Sequence, residues 1–169
     1  PGTMDPPIVS ELHPNSATIT WTPPSPPNGI ITNYSLCVCP SSVCSRIPGN
    51  ITTSSLMDLL PFQTYTLQME ACTRVGCSVS GMSESFRTLP AAPEGVPAPH
   101  LYSETPTSVL LSWGAPEWSN GPLERWVIER KVAGSKQVST VGSLPADSPP
   151  LSFLDVSSAL SPWTNYQYR

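Results

Sequence analysis

Ser16-Ala17-Thr18-Ile19-Thr20-Trp21 recurs 92 residues further on as Ser108-Val109-Leu110-Leu111-Ser112-Trp113. In the first copy Ala17, Ile19 and Trp21 alternate with Thr18, Thr20 and Thr22, the two-residue period of a strand buried on one face. Outward from this stretch, and without a gap, Pro24 matches Pro116, Asn28-Gly29 matches Asn120-Gly121, and Tyr34 matches Trp126. Further on the offset becomes 101, so that Leu59-x-Pro61-x-x-x-Tyr65 matches Leu160-x-Pro162-x-Thr164-x-Tyr166. The second copy therefore carries nine extra residues between its middle strands. A repeat of about 90 residues is too long for a solenoid unit and suits a small β-sandwich.

Other segments keep the same period. Tyr34, Leu36 and Val38 alternate with polar or small neighbours, as do Tyr65, Leu67, Met69 and Ala71. In the second copy Leu111 with Trp113, and Trp126 with Ile128, repeat the scheme. Pro23-Pro24-Ser25-Pro26-Pro27-Asn28-Gly29 separates the first two strands and cannot join a ladder. Twenty-two prolines among 169 residues also exclude long helices, because an interior proline costs a helix about 3 kcal/mol. The expected class is all-β.

Charge narrows the function. The net charge is −4, it divides evenly between the halves, and no basic stripe is present to displace counterions from a phosphate backbone, so nucleic acid is not an expected partner. No apolar run reaches the 18 or more residues of a membrane helix, so direct membrane insertion is not expected either.

The chain resembles a tandem of the fibronectin type III family. The carriers are Trp21 and Trp113 on the second strand of each copy, and the Asn-Gly turns leading to Tyr34 and Trp126. The third is the L-x-P-x-T-x-Y corner, complete at Leu160–Tyr166 and carrying Gln63 in place of Thr in the first copy. The resemblance implies two consecutive immunoglobulin-like β-sandwiches, with Trp21 and Trp113 in the cores and Tyr65 and Tyr166 locking the corners. Residues 5–89 form the first expected module and 90–169 the second. Pro1-Gly2-Thr3-Met4 reads as an expression remnant. Only three residues follow Tyr166, so the second module is expected to lack its C-terminal strands in this sequence. The proline-rich stretch from Leu89 to Pro99 reads as a semi-rigid spacer.

All five cysteines lie in the first module. Two C-x4-C pairs, Cys39–Cys44 and Cys72–Cys77, suggest small disulfide loops, with Cys37 left unpaired. In the resembled fold the strands bearing Cys37 and Cys72 are neighbours, so a Cys37–Cys72 bridge is also open. Zinc is the weaker alternative, since the spacing is wide and no histidine lies nearby, and no metal or other cofactor is expected. Asn33-Tyr34-Ser35 and Asn50-Ile51-Thr52 are N-glycosylation sequons, Asn50 being the more loop-like. Paired cysteines and sequons on a Pro/Ser/Thr-rich sandwich point to an extracellular or cell-surface location.

Motifs of catalysis are missing: there is no glycine-rich phosphate loop, no G-x-S-x-G and no H-E-x-x-H. His13 and His100 stand beside prolines and read as ordinary loop residues; Glu124 and Glu129 read as solvated. No enzymatic role is expected. Trp118, Trp163 and Arg74 fall outside the core positions and are the candidate contacts for a protein partner. The hairpin tip Ala71–Cys77 and the proline-rich linker also resemble the type III arrays of a large cell-surface protein of hair cells and photoreceptors. The expected function is a structural and adhesive spacer that contacts other extracellular or cell-surface proteins, or neighbouring modules of its own chain. A cytokine-receptor-like ligand-binding pair and an intracellular scaffold pair are the alternatives. No W-S-x-W-S occurs as far as the second module extends, and a scaffold would keep all five thiols reduced.

Overall fold

The computed structural model describes every residue from Pro1 to Arg169 and divides into two units, Pro1–Ala91 and Ala92–Arg169. The boundary falls two residues beyond the one read from the sequence, inside the same proline-rich stretch.

In unit 1, β1 (Ile8–Ser10), β2 (Ala17–Thr20) and β5 (Thr53–Leu56) form one antiparallel sheet in the order β1-β2-β5. The facing sheet runs β4 (Val43–Pro48), β3 (Asn33–Cys39), β6 (Thr64–Cys72) and β7 (Cys77–Met82), and β8 (Phe86–Arg87) pairs with the start of β6. On β3 the buried residues are Tyr34, Leu36 and Val38, and across the ladder they meet Ala71, Met69 and Leu67 of β6. Ile19, Tyr34, Leu67 and Met69 are completely buried, and the Trp21 ring meets Tyr34 edge-on at 5.4 Å. Each alternation of the sequence thus becomes one face of one sheet, and the two apolar faces make the core.

The first four residues extend unit 1 ahead of the start expected at residue 5. Met4 is buried in this core, the Gly2 amide donates to the Pro26 carbonyl, and Ser78 donates its hydroxyl to the Gly2 carbonyl. Residues 1–4 therefore pack as part of unit 1.

Unit 2 repeats the plan with β9 (His100–Thr105), β10 (Ser108–Ser112) and β13 (Ser152–Asp155) in one sheet, ordered β13-β10-β9. The other is β12 (Ser139–Pro145), β11 (Arg125–Val132) and β14 (Tyr166–Tyr168), ordered β12-β11-β14. His100 opens β9 rather than lying in a loop. The matched turns share one backbone form: Asn28 and Asn120 are left-handed at φ 51° and 53°, followed by Gly29 and Gly121 at 140° and 151°. Asparagine and glycine tolerate these angles, which fixes the approach to β3 and β11. The apolar core is thinner here, with Leu111, Ile128 and Leu160 buried, and Trp113 and Trp126 half-buried with ring centroids 5.8 Å apart.

Burial sets the expected cost of core changes. Leu67→Ala should lower the stability of unit 1 by about 2–5 kcal/mol, whereas Val79→Ala, on the exposed side of β7, should stay within about 0.5 kcal/mol. Urea unfolding followed by circular dichroism would measure both; equal effects would contradict the assigned faces.

Candidate interaction surface

Strand parity puts the cysteines outside. With Leu36 and Val38 turned inward, Cys37 and Cys39 project from the outer face of the β4-β3-β6-β7 sheet, and Cys72 does the same beside Met69 and Ala71. Cys72 stands directly opposite Cys77 in the β6–β7 ladder, and the two are bonded with their Cα atoms 4.1 Å apart. The second bridge corrects the sequence reading: it joins Cys37 to Cys44, with Cα atoms 4.0 Å apart, and Cys39 is the free thiol. The cause is register. Val38 faces Val43 and Cys37 faces Cys44, so residues 39–42 make the turn and Cys39 lies beyond the last pair. The spacing C-x4-C seats a pair across a hairpin only when the four intervening residues are themselves the turn, as at Thr73–Gly76; here the four-residue turn begins at Cys39 itself. Cys37 and Cys72 lie on adjacent strands, yet Cys37 pairs with Gln68 and Cys72 with Asn33, which separates them by four residues along the ladder. Glu70 approaches Cys72 and Cys77, but both sulfurs are consumed in the disulfide.

Between the bridged strands, the tip Thr73-Arg74-Val75-Gly76 is closed by hydrogen bonds. Thr73 donates its amide to the Gly76 carbonyl at 2.9 Å and accepts the Val75 N–H on its hydroxyl at 3.3 Å. Arg74 is exposed and Val75 almost wholly so. A cation and an apolar side chain are thereby presented on a backbone held at both ends, and little conformational entropy would be lost on contact.

In unit 2 the two candidate tryptophans stand apart. Trp118, more than half exposed, is tied through its backbone to Glu94 by N–H···O bonds of 2.8 and 3.1 Å. Trp163 is fully solvent-exposed and left-handed, with φ 60°. It belongs to the corner next to Asn165, whose carbonyl accepts the Ala133 amide just past the end of β11, while Trp118 lies ahead of that strand. They therefore occupy opposite ends of β11 and form no joint surface. Of the remaining residues, His13 and His100 are exposed, and Glu129 pairs with Arg169 at 2.6 Å.

The corner tyrosines act on the backbone. The Tyr65 hydroxyl accepts the Leu60 amide at 3.0 Å; that of Tyr166 accepts the Ser161 amide at 2.9 Å and donates to the Ala159 carbonyl at 3.2 Å. Both hold the crossover that leads into β6 or β14. Asn50 is exposed in a turn, whereas Asn33 opens β3 half-buried.

One polar cluster escaped the sequence reading. Arg130 and Asp155 are 7 and 2% exposed and joined by a 2.6 Å ion pair. Arg130 also donates to the Ser157 hydroxyl at 2.7 Å, and the Tyr168 hydroxyl donates to Asp155 at 3.0 Å. Burial raises the Asp155 pKa, but the Ser157 amide, the Tyr168 hydroxyl and the Arg130 charge together outweigh it and leave the carboxyl below its ordinary value. Tyr168 is pushed up to about 12 by burial and by the neighbouring carboxylate. The signal was present in the repeat: at the offset of 92, Arg130 falls where Val38 stands in unit 1.

These sandwiches define the protein's class. Residues 5–86 match the family model described as fibronectin type III domain, so unit 1 belongs to that family, and unit 2 repeats its strand order as far as β14. Among curated proteins the chain is similar to the usherins of Homo sapiens and Mus musculus, with 45% and 37% identity over the whole chain. It spans 3% of the length of each. It is also 26% identical, over its whole length and 7% of the relative's, to a protein sidekick homolog of Caenorhabditis briggsae. Among solved structures, the crystal structure of chicken CNTN1 FN1-FN3 domains shares the fold at a TM-score of 0.62 and 20% identity. That match covers 99% of this chain and 60% of the other.

The buried cluster carries a testable consequence. Asp155→Ala should destabilise unit 2 by about 3–5 kcal/mol by leaving Arg130 charged and unpaired. The triple change Arg130→Val, Asp155→Leu and Tyr168→Leu, which copies the unit 1 residues at those positions, should be near neutral. Because the folded Asp155 pKa is depressed, its contribution is present above the ordinary carboxylate value and lost as pH falls below about 4. Unfolding followed by tryptophan fluorescence suits this test, since four of the five tryptophans lie in unit 2. The wild-type chain should lose stability below about pH 4 more steeply than the triple variant.

Proposed function

We propose that this chain is an extracellular structural and protein-interaction segment of a large cell-surface protein of the usherin kind, serving as a spacer in the links of sensory cells. The observation that carries the reading is the pair of directly opposed disulfides on the outer face of a fibronectin type III sandwich. Such bonds persist in oxidising compartments and are rare where thiols are kept reduced. The similarity to usherin over the full chain supports the kind of parent protein. The role involves no chemical step: the sandwiches supply a folded, hydrogen-bonded segment, and contact falls to the closed Arg74–Val75 tip and to the exposed Trp163 and Trp118, with other cell-surface proteins as partners.

Secretion from mammalian cells tests this. The secreted chain should contain both bridges, and a reductant should lower unit 1 stability by about 2 kcal/mol for each bridge, on the loop-entropy estimate for loops of this size. Unit 2, which has no cysteine, should be unchanged. Retention of the chain with five reactive thiols, or stability indifferent to reductant, would contradict the extracellular reading.

A further inference from the structure

Two sequons differ sharply in their surroundings. Asn50 is the third residue of a turn that the Ile51 amide closes on the Pro48 carbonyl at 3.1 Å. The turn is anchored beneath it: the Gly49 amide donates to the Thr32 carbonyl at 3.2 Å, and a Cβ at Gly49 would collide with the Ile31 carbonyl. Only glycine fits there, so the next residue is carried out into solvent. Asn50 is exposed, as are Ile51 and Thr52, and no hydrogen bond engages the Asn50 carboxamide or the Thr52 hydroxyl.

Asn33 is held. It is half-buried at the start of β3, flanked by Pro48 of β4 and Cys72 of β6. Its Oδ1 accepts the Arg46 guanidinium at 2.9 Å and the Thr32 hydroxyl at 3.2 Å. A saccharide on Nδ2 would have to share this position with the Arg46 side chain and the neighbouring Cys72–Cys77 bridge.

We propose that Asn50 carries an N-linked oligosaccharide and that Asn33 does not. The inference rests on the extracellular reading, because the donor is a lipid-pyrophosphate-linked oligosaccharide and the transferase acts inside the secretory pathway. The Asn50 Nδ2 attacks the anomeric carbon of that donor. A C–N bond forms, the anomeric C–O bond to pyrophosphate breaks, the lipid pyrophosphate leaves with the electron pair, and Nδ2 gives up one proton. The product fits the folded module at Asn50 without displacing a side-chain partner.

The full chain, secreted from mammalian cells, should show one glycan that peptide-N-glycosidase removes. Asn50→Gln should abolish it and Asn33→Gln should leave it. Thr52→Ala, which keeps Asn50 but destroys the sequon, should abolish it as well, so a folding defect of one variant cannot mimic the result. A glycan lost with Asn33→Gln would overturn the selectivity. A secreted, glycan-free chain with both disulfides formed would overturn the site while sparing the extracellular reading. A retained chain with reduced thiols would overturn both.

Discussion

The in-register pairing of β3 with both of its neighbours is the constraint on which unit 1 depends. Because side chains alternate along a strand, setting Leu36 opposite Met69 commits Tyr34 and Val38 to the core and Cys37 to the outer surface. The same register on the other side sets Cys37 against Cys44, and the hairpin after β6 sets Cys72 against Cys77. A slip of β3 by one residue would turn Cys37 and Cys39 inward, expose Tyr34, Leu36 and Val38, and separate Cys37 from Cys44. Hydrophobic alternation and disulfide pairing therefore specify one arrangement, and each makes the alternatives of the other costly.

Unit 2 uses the same scaffold with different interior chemistry. At three matched positions unit 1 places Val38, Leu56 and Leu67, while unit 2 places Arg130, Asp155 and Tyr168. The ladders agree: Val38 faces Leu67 as Arg130 faces Tyr168, and Leu56 faces Ala17 as Asp155 faces Val109. An apolar trio in one copy has become a hydrogen-bonded ionic trio in the other. Buried ion pairs contribute little net stability relative to apolar residues of similar volume, but breaking one is costly. Unit 2, with fewer buried apolar side chains and no cysteine, thus rests more on a few directional contacts, whereas unit 1 rests on its core and its two bridges.

Much of this was readable from residues alone. The recurrence of the Trp21 strand at Trp113 and of the Tyr65 corner at Tyr166 defined two sandwiches, because a β-sandwich writes its buried faces into the chain with a period of two. The disulfide partner of Cys44 was not readable, because spacing between cysteines does not reveal where along the chain the turn falls. That placement is set by the register of the flanking strands, and here it puts Cys39 in the turn and Cys37 opposite Cys44. Met4 escaped for a related reason: a lone apolar residue carries no period. The Arg130–Asp155 pair was missed because charged residues are expected outside. Its position in the repeat contradicted that expectation, since Arg130 stands at an inward site two residues after Ile128.

The register of β3 is tested most directly by mapping the disulfides of the oxidised, secreted chain, with tandem mass spectrometry that cleaves the backbone between Cys37 and Cys39. The structure predicts Cys37 linked to Cys44, Cys72 linked to Cys77, and alkylation confined to Cys39. A Cys39–Cys44 or Cys37–Cys72 link would contradict the β3 pairing from which the rest of unit 1 follows.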